Sequence, residues 1–195
     1  MPGHVRAIVV AVTLLAVSLT GSSAYGQGRP DSAALIAAER DAMSKLAYMD
    51  GVWRGPAWTL TQTGRHDITQ TERIGPFLDG SVKVIEGRGY EADGRVGFNA
   101  LGVISYQPAT KTYNLHSYAL GFAGDFPLTM TADGYIWEIP AGPNTIRYTA
   151  TIGNGTWREV GDQLVPGKDP VRIFEMNLKR IGDTKWPNDG AISPR

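Results

Sequence analysis

The sequence predicts an all-β fold: a closed antiparallel up-and-down barrel of about eight to ten strands, preceded by one amphipathic helix. Three observations predict it. From Trp53 onward, apolar and polar residues fall into period-two alternation and stay there to Ile181. Strong turn dipeptides punctuate the alternating runs: Asp93-Gly94, Asp133-Gly134 and Asn154-Gly155, with Pro108-Ala109-Thr110 suited to a type I turn. The chain holds 24 glycines among many Thr, Val, Ile and aromatic residues, a mixture that favours strands and turns. Connections this short make sequential strands hairpin neighbours. Such an array removes its edges only by closing, which favours a barrel over a sandwich.

The elements follow in order. Met1 to Arg6 is basic, Ala7 to Leu19 is almost purely apolar, and Gly21-Ser22-Ser23-Ala24 is small. That order reads as a secretory signal peptide, residues 1–24, cleaved near Ala24. The apolar run is shorter than the roughly 20 residues a membrane-spanning helix needs, so no stable anchor is expected. Residues 25–31 form a flexible lead. Asp31 or Ser32 caps a helix from Ser32 to Tyr48, with Leu35, Ala42, Leu46 and Met49 at helical spacing and Asp50-Gly51 to end it. The first strands surround Trp58 and Leu60, then Ile68 to Ile74. Further strands are Ser81–Tyr90, Val96–Tyr106, Thr112–Leu120, Phe126–Thr131, Tyr135–Ile139, Thr145–Ile152 and Val171–Ile181. The helix and barrel thus fill 32–182. The segment 183–195, with Pro187, Gly190 and Pro194, reads as a disordered tail.

Composition narrows the function classes. The 19 basic and 19 acidic residues balance, so nothing steers the chain toward nucleic acid or an anionic membrane. With no cysteine there is no lipidated N-terminal Cys, no disulfide and no thiolate metal site. The absence of disulfides in an exported chain favours a bacterial periplasmic or secreted protein whose core stands alone. No nucleophile elbow and no phosphate-binding loop occurs, and Gly87-Arg88-Gly89 lacks the strand–turn–helix setting of a dinucleotide site. His66 reads as a turn residue and His116 as a packing residue within a strand. Neither has partners for a metal, and no cofactor or catalytic set is expected.

Gly51-Val52-Trp53 opens the first strand, and Arg180 closes the last in Phe174-Glu175-Met176-Asn177-Leu178-Lys179-Arg180. This pair resembles the lipocalin-like (calycin) barrels, in which an Arg from the last strand covers a Gly-x-Trp at the start of the first. The resemblance implies a structural role for Trp53 and Arg180, with the guanidinium stacked on the indole. Gly80-Ser81-Val82 and Tyr106-Gln107-Pro108 extend the likeness to a family of exported bacterial lipocalin-like domains mostly of unknown function. Gly51-Val52-Trp53-Arg54-Gly55 is also similar to the opening of the haem-binding nitrobindin-like barrels. Those ligate iron through a His in a late strand, whereas this chain has no histidine after His116, which argues against haem.

Strand parity supplies the candidate site. Polar residues share a parity with apolar ones: Gln70 and Glu72 with Ile68, Glu86 and Arg88 with Val84, His116 and Tyr118 with Leu120, Tyr148 with Ile146, and Arg172 with Phe174. If these faces all point inward, Glu72, Glu86, Arg88, His116, Tyr118, Tyr148 and Arg172 line a pocket for a small, largely apolar ligand. Bulges that shift the register would instead put several of them outside. Two other readings stand beside ligand binding. One is a hydrolase or isomerase pairing Glu72 or Glu86 with His116 in the barrel mouth. The other is a structural or interaction protein whose barrel is filled by its own side chains.

Overall fold

The structure, a computed structural model, describes residues 31–189 and 192. The expected signal peptide and flexible lead therefore lie outside the described residues, apart from Asp31. Over the described residues the chain forms one α-helix, two 3-10 turns and ten strands. Helix α1 runs Ser32–Ser44, and the Asp31 side chain caps it by accepting from the Ala33 amide. The helix stops short of Tyr48, and a separate 3-10 turn, Ala47–Met49, carries the chain into the barrel.

The strands are β1 (Gly51–Thr61), β2 (Gly64–Phe77), β3 (Val82–Tyr90), β4 (Val96–Gln107) and β5 (Thr112–Ala119). The rest are β6 (Phe122–Met130), β7 (Gly134–Ala141), β8 (Asn144–Gly153), β9 (Thr156–Leu164) and β10 (Val171–Gly182). Each pairs antiparallel with its neighbours in sequence, and β10 pairs with β1 to close the barrel. The expected fold class is therefore the observed one. Strand β9 is additional to the sequence reading. Asn154 and Gly155 both adopt left-handed backbone angles, the requirement of a two-residue type I′ turn, and so return β8 directly into β9.

One end of the barrel is plugged. Met43 at the end of α1 and Leu46 and Met49 in the turn after it pack with Trp53, Ile74, Ile104 and Leu178 in one buried cluster, since their apolar side chains gain by leaving water. Tyr113 donates its hydroxyl to the Ala42 carbonyl at 3.0 Å, and Lys83, also buried, pairs with Asp50. Leu35 and Ile36, expected on the same apolar stripe, stay exposed, since α1 buries only its last turn, at Ala42 and Met43.

Trp53 and Arg180 face each other in the β1–β10 register. The expected guanidinium stack on Trp53 is replaced by another arrangement. Arg180 lies over Gly51 and donates from Nε to the Asp50 carbonyl at 3.1 Å. The Trp53 indole donates to the Met49 carbonyl at 2.9 Å and meets the edge of Trp157. A side chain at Gly51 would collide with that guanidinium, which explains the glycine. Part of the segment from Asp183, expected to be a disordered tail, lies on the outer wall around Trp186 and Pro187, against Gly75. There Arg73 stacks on Trp186 with its guanidinium carbon 4.4 Å from the ring centre.

Candidate functional site

Above the plug the barrel is hollow. A cavity of about 650 Å³ runs from the floor near Trp157 to a mouth at the other end. It exceeds the roughly 300 Å³ at which small-molecule pockets begin, so the interior is not filled by its own side chains. Ten strands enclose a wider lumen than the eight whose side chains just fill a barrel.

Two unlike walls create the space. Strands β6 to β10 supply an aromatic wall. Trp137 stacks on Tyr148 with ring centres 4.4 Å apart and planes 14° from parallel, flanked by Phe126 at 5.4 Å and Phe174 at 5.8 Å. Gly161 of β9 lies behind the Tyr148–Phe174 contact. A β-carbon there would sit 2.9 Å from the Tyr148 ring and 3.0 Å from the Phe174 β-carbon. Strands β3 to β6 face this wall with small residues: Gly87, Ala100, Gly102, Ser117, Ala119 and Gly124. Large rings opposite small side chains leave an apolar slot.

The floor is polar. Glu72 and Glu159 are both buried and both line the cavity. Glu72 accepts from Gln70 Nε2 at 2.7 Å. Glu159 accepts from the Tyr135 hydroxyl at 3.1 Å and from Trp137 Nε1 at 3.0 Å. The Trp157 indole supports the Glu159 charge as well, but it has no hydrogen bond of proper geometry and its N–H is left unpartnered. Desolvation pushes the Glu72 carboxyl up to about 8, against the Gln70 hydrogen bond that favours ionisation and helped by the nearby charges of Glu159 and Glu86. Desolvation also raises Glu159, but its several donors oppose it. At neutral pH Glu72 therefore keeps its proton, while Glu159 has both of its oxygens engaged by donors, from Tyr135 and Trp137. The Tyr148 hydroxyl, pushed up to about 12 mainly by burial, stays protonated. Gly87 makes room for this floor: a β-carbon there would lie 2.8 Å from a Glu72 carboxylate oxygen.

Of the residues expected to share the interior, the structure brings together Glu72 and Tyr148 on the cavity. The other five lie on the outer wall, so the expectation of a common inward face is corrected for them. Ile85 and Gly87 point inward on β3, which turns Glu86 and Arg88 outward. There Glu86 accepts from Arg88 at 2.6 Å and from Arg73 at 2.5 Å. Leu115 and Ser117 point inward on β5, which places His116 and Tyr118 outside, with His116 paired to Asp125. Arg172 is displaced by a bulge between Arg172 and Phe174 and pairs with Asp162 at 2.5 Å on the outside. Neither the Glu72 nor the Glu86 pairing with His116 is assembled: Glu72 is inside while His116 is outside, and Glu86, also outside, is held by Arg73 and Arg88 while His116 pairs with Asp125. His66, read as a turn residue, stands at the cavity mouth 3.2 Å from Glu91.

Sequence reasoning missed Glu159, Trp157 and Trp137 as site residues. Tyr135 and Trp137 were visible as barrel wall, but β9 was not read as a strand. The signal that could have found it is the Asn154-Gly155 turn, which demands a return strand with Trp157 and Glu159 on one parity.

No family model and no curated protein matches the sequence. The fold does match solved structures. The M. tuberculosis protein Rv2717c, known from a crystal structure, superposes with a TM-score of 0.55 at 12% identity, over 72% of this chain and 97% of that one. At that identity the likeness concerns the barrel fold alone.

Proposed function

We propose that this protein binds a small, largely apolar molecule inside its barrel, in the manner of lipocalin-like carriers, without covalent chemistry. The observation that carries this reading is the 650 Å³ cavity between the aromatic wall and the small-residue wall. Apolar surface buried there gains roughly 25 cal/mol per Å². A few polar groups gathered at one end orient a ligand without demanding that it be polar throughout. We also propose that the protein acts outside the cytoplasm, on the strength of the basic, apolar and small segments of Met1 to Ala24.

The test is a titration of neutral apolar probes into the wild-type protein and into Ala100→Trp. Ala100 lies on the small-residue wall, and an indole there occupies the slot. The wild type is expected to saturate at one molecule per chain, and the variant to keep its circular dichroism spectrum while losing binding at least about tenfold. Equal binding by both proteins would place the ligand elsewhere. N-terminal sequencing of the protein from fractionated cells tests export: a chain starting near Tyr25 outside the cytoplasm is expected, and an intact Met1 in the cytosol would contradict it.

A further inference from the structure

We propose that the cavity floor reads a neutral hydroxyl at the end of an otherwise apolar ligand, through Trp157 and Glu159. This rests on the ligand-binding reading above and adds the head group that the site selects. Three observations combine. Trp157 is 2% exposed, lines the cavity, and its indole N–H has no hydrogen-bond partner. A donor buried without an acceptor is costly, so an acceptor brought by a ligand is rewarded there. Beside it stands Glu159, which takes hydrogen bonds from Tyr135 and Trp137; the Trp157 N–H lies near enough to favour its ionised form but makes no bond of proper geometry to it. Among the described residues the cavity lining includes no lysine or arginine, and the buried Lys83 is paired with Asp50 away from the cavity.

Head groups are separated by what they offer this arrangement. A carboxylate accepts from Trp157, but it brings no hydrogen to Glu159 and buries its own charge with no cation on the lining to offset it. An ammonium satisfies Glu159 and leaves the Trp157 N–H unpaired, since it has no acceptor. A ketone accepts from Trp157 but gives no hydrogen to Glu159. A hydroxyl does both: its oxygen accepts from the indole, and its hydrogen goes to the carboxylate. Glu72, on the same cavity with one hydrogen bond from Gln70, is a further neutral partner at neutral pH.

The test uses four probes with one alkyl chain and different heads: decanol, a decanone, decylamine and decanoate, titrated calorimetrically at neutral pH. Decanol is expected to bind about tenfold more tightly than each of the others, the effect of one or two additional buried hydrogen bonds. In Trp157→Phe, decanol and the decanone should both weaken several-fold, since each loses its bond from that indole, while decylamine, which does not use the indole, should stay within about twofold. Glu159→Gln, which keeps the shape and replaces the acid with a neutral amide that carries its own donor, should raise decanoate affinity several-fold and guards against a misfolded Trp157 variant. A decanone, amine or acid that matches decanol in the wild type would overturn the head-group proposal while leaving the cavity reading intact. So would a decanol affinity that Trp157→Phe leaves unchanged, or an exclusion of decanoate that survives Glu159→Gln. Failure of all four probes to bind the wild type would instead sink the ligand-binding reading itself.

Discussion

At the scale of residues, the molecule turns on a carboxyl that keeps its proton. Folded Glu72 holds it up to about pH 8, whereas an unfolded glutamate releases it near 4.5. Between these values the folded chain binds more protons than the unfolded one, so stability falls as pH rises through that window. Below it both states are protonated and the effect vanishes. Glu159, also raised, acts in the same direction. Glu72→Gln, which still accepts from Gln70, should therefore stabilise the protein at pH 7 by on the order of 2 kcal/mol, or about 5 °C in Tm. It should also flatten the decline of Tm between pH 5 and pH 8, as seen by thermal melts across that range. A decline as steep as the wild type's would mean that Glu72 is not the titrating group. Gly87 belongs to the same local packing. Gly87→Ala should cost about 1–3 kcal/mol in urea melts by crowding the Glu72 carboxyl, and much less in a Glu72→Ala background.

At the scale of elements, two features differ from a uniform barrel. The plug is tight, and Leu46→Ala should destabilise by about 2–5 kcal/mol, because Leu46 is buried among Met43, Met49 and the closed-end core. The seam between β6 and β7 is loose. Their register covers only Thr129 with Ile136 and Met130 with Tyr135, so toward the mouth the two strands diverge, bridged by Phe126 against Trp137. Hydrogen exchange should be faster for the amides of Trp137–Ala141 that face β6 than for those in the β2–β3 ladder, which is paired from Thr69 to Phe77. Uniform protection around the barrel would rule out this seam. The elements were also what the sequence revealed best. Alternation and Asx-Gly turns identified nine of the ten strands, and the wide barrel followed from their number and order. The exception was β9, where Arg158, Glu159, Asp162 and Gln163 dilute the apolar alternation. That loss hid the residues that build the floor, because polar groups at a site erase the periodicity that marks a strand. Parity was informative for Glu72 and Tyr148. It failed for Glu86 and Arg88 because a strand can bury an apolar residue on its outer face, as β3 does with Val84 opposite Gly75, against which the Trp186 backbone lies, and for His116 and Tyr118 because their apolar parity partner, Leu120, is itself exposed. For Arg172 it failed at a bulge, which inverts a face without any mark in composition.

At the scale of the whole molecule, a closed barrel with one plugged end and one open mouth makes a container, and two walls of unequal bulk decide that it is empty enough to hold something. The rim carries exposed apolar side chains, Leu120 at 71% and Phe122 at 79%, so the apolar surface continues from the lumen to the mouth. The most direct test of the central claim is native mass spectrometry of the protein purified without denaturation, beside the slot-filling Ala100→Trp variant. A discrete excess mass, one small molecule per chain, is expected in the wild type and none in the variant. A wild-type mass equal to the bare polypeptide, unchanged after incubation with neutral apolar probes, would contradict it.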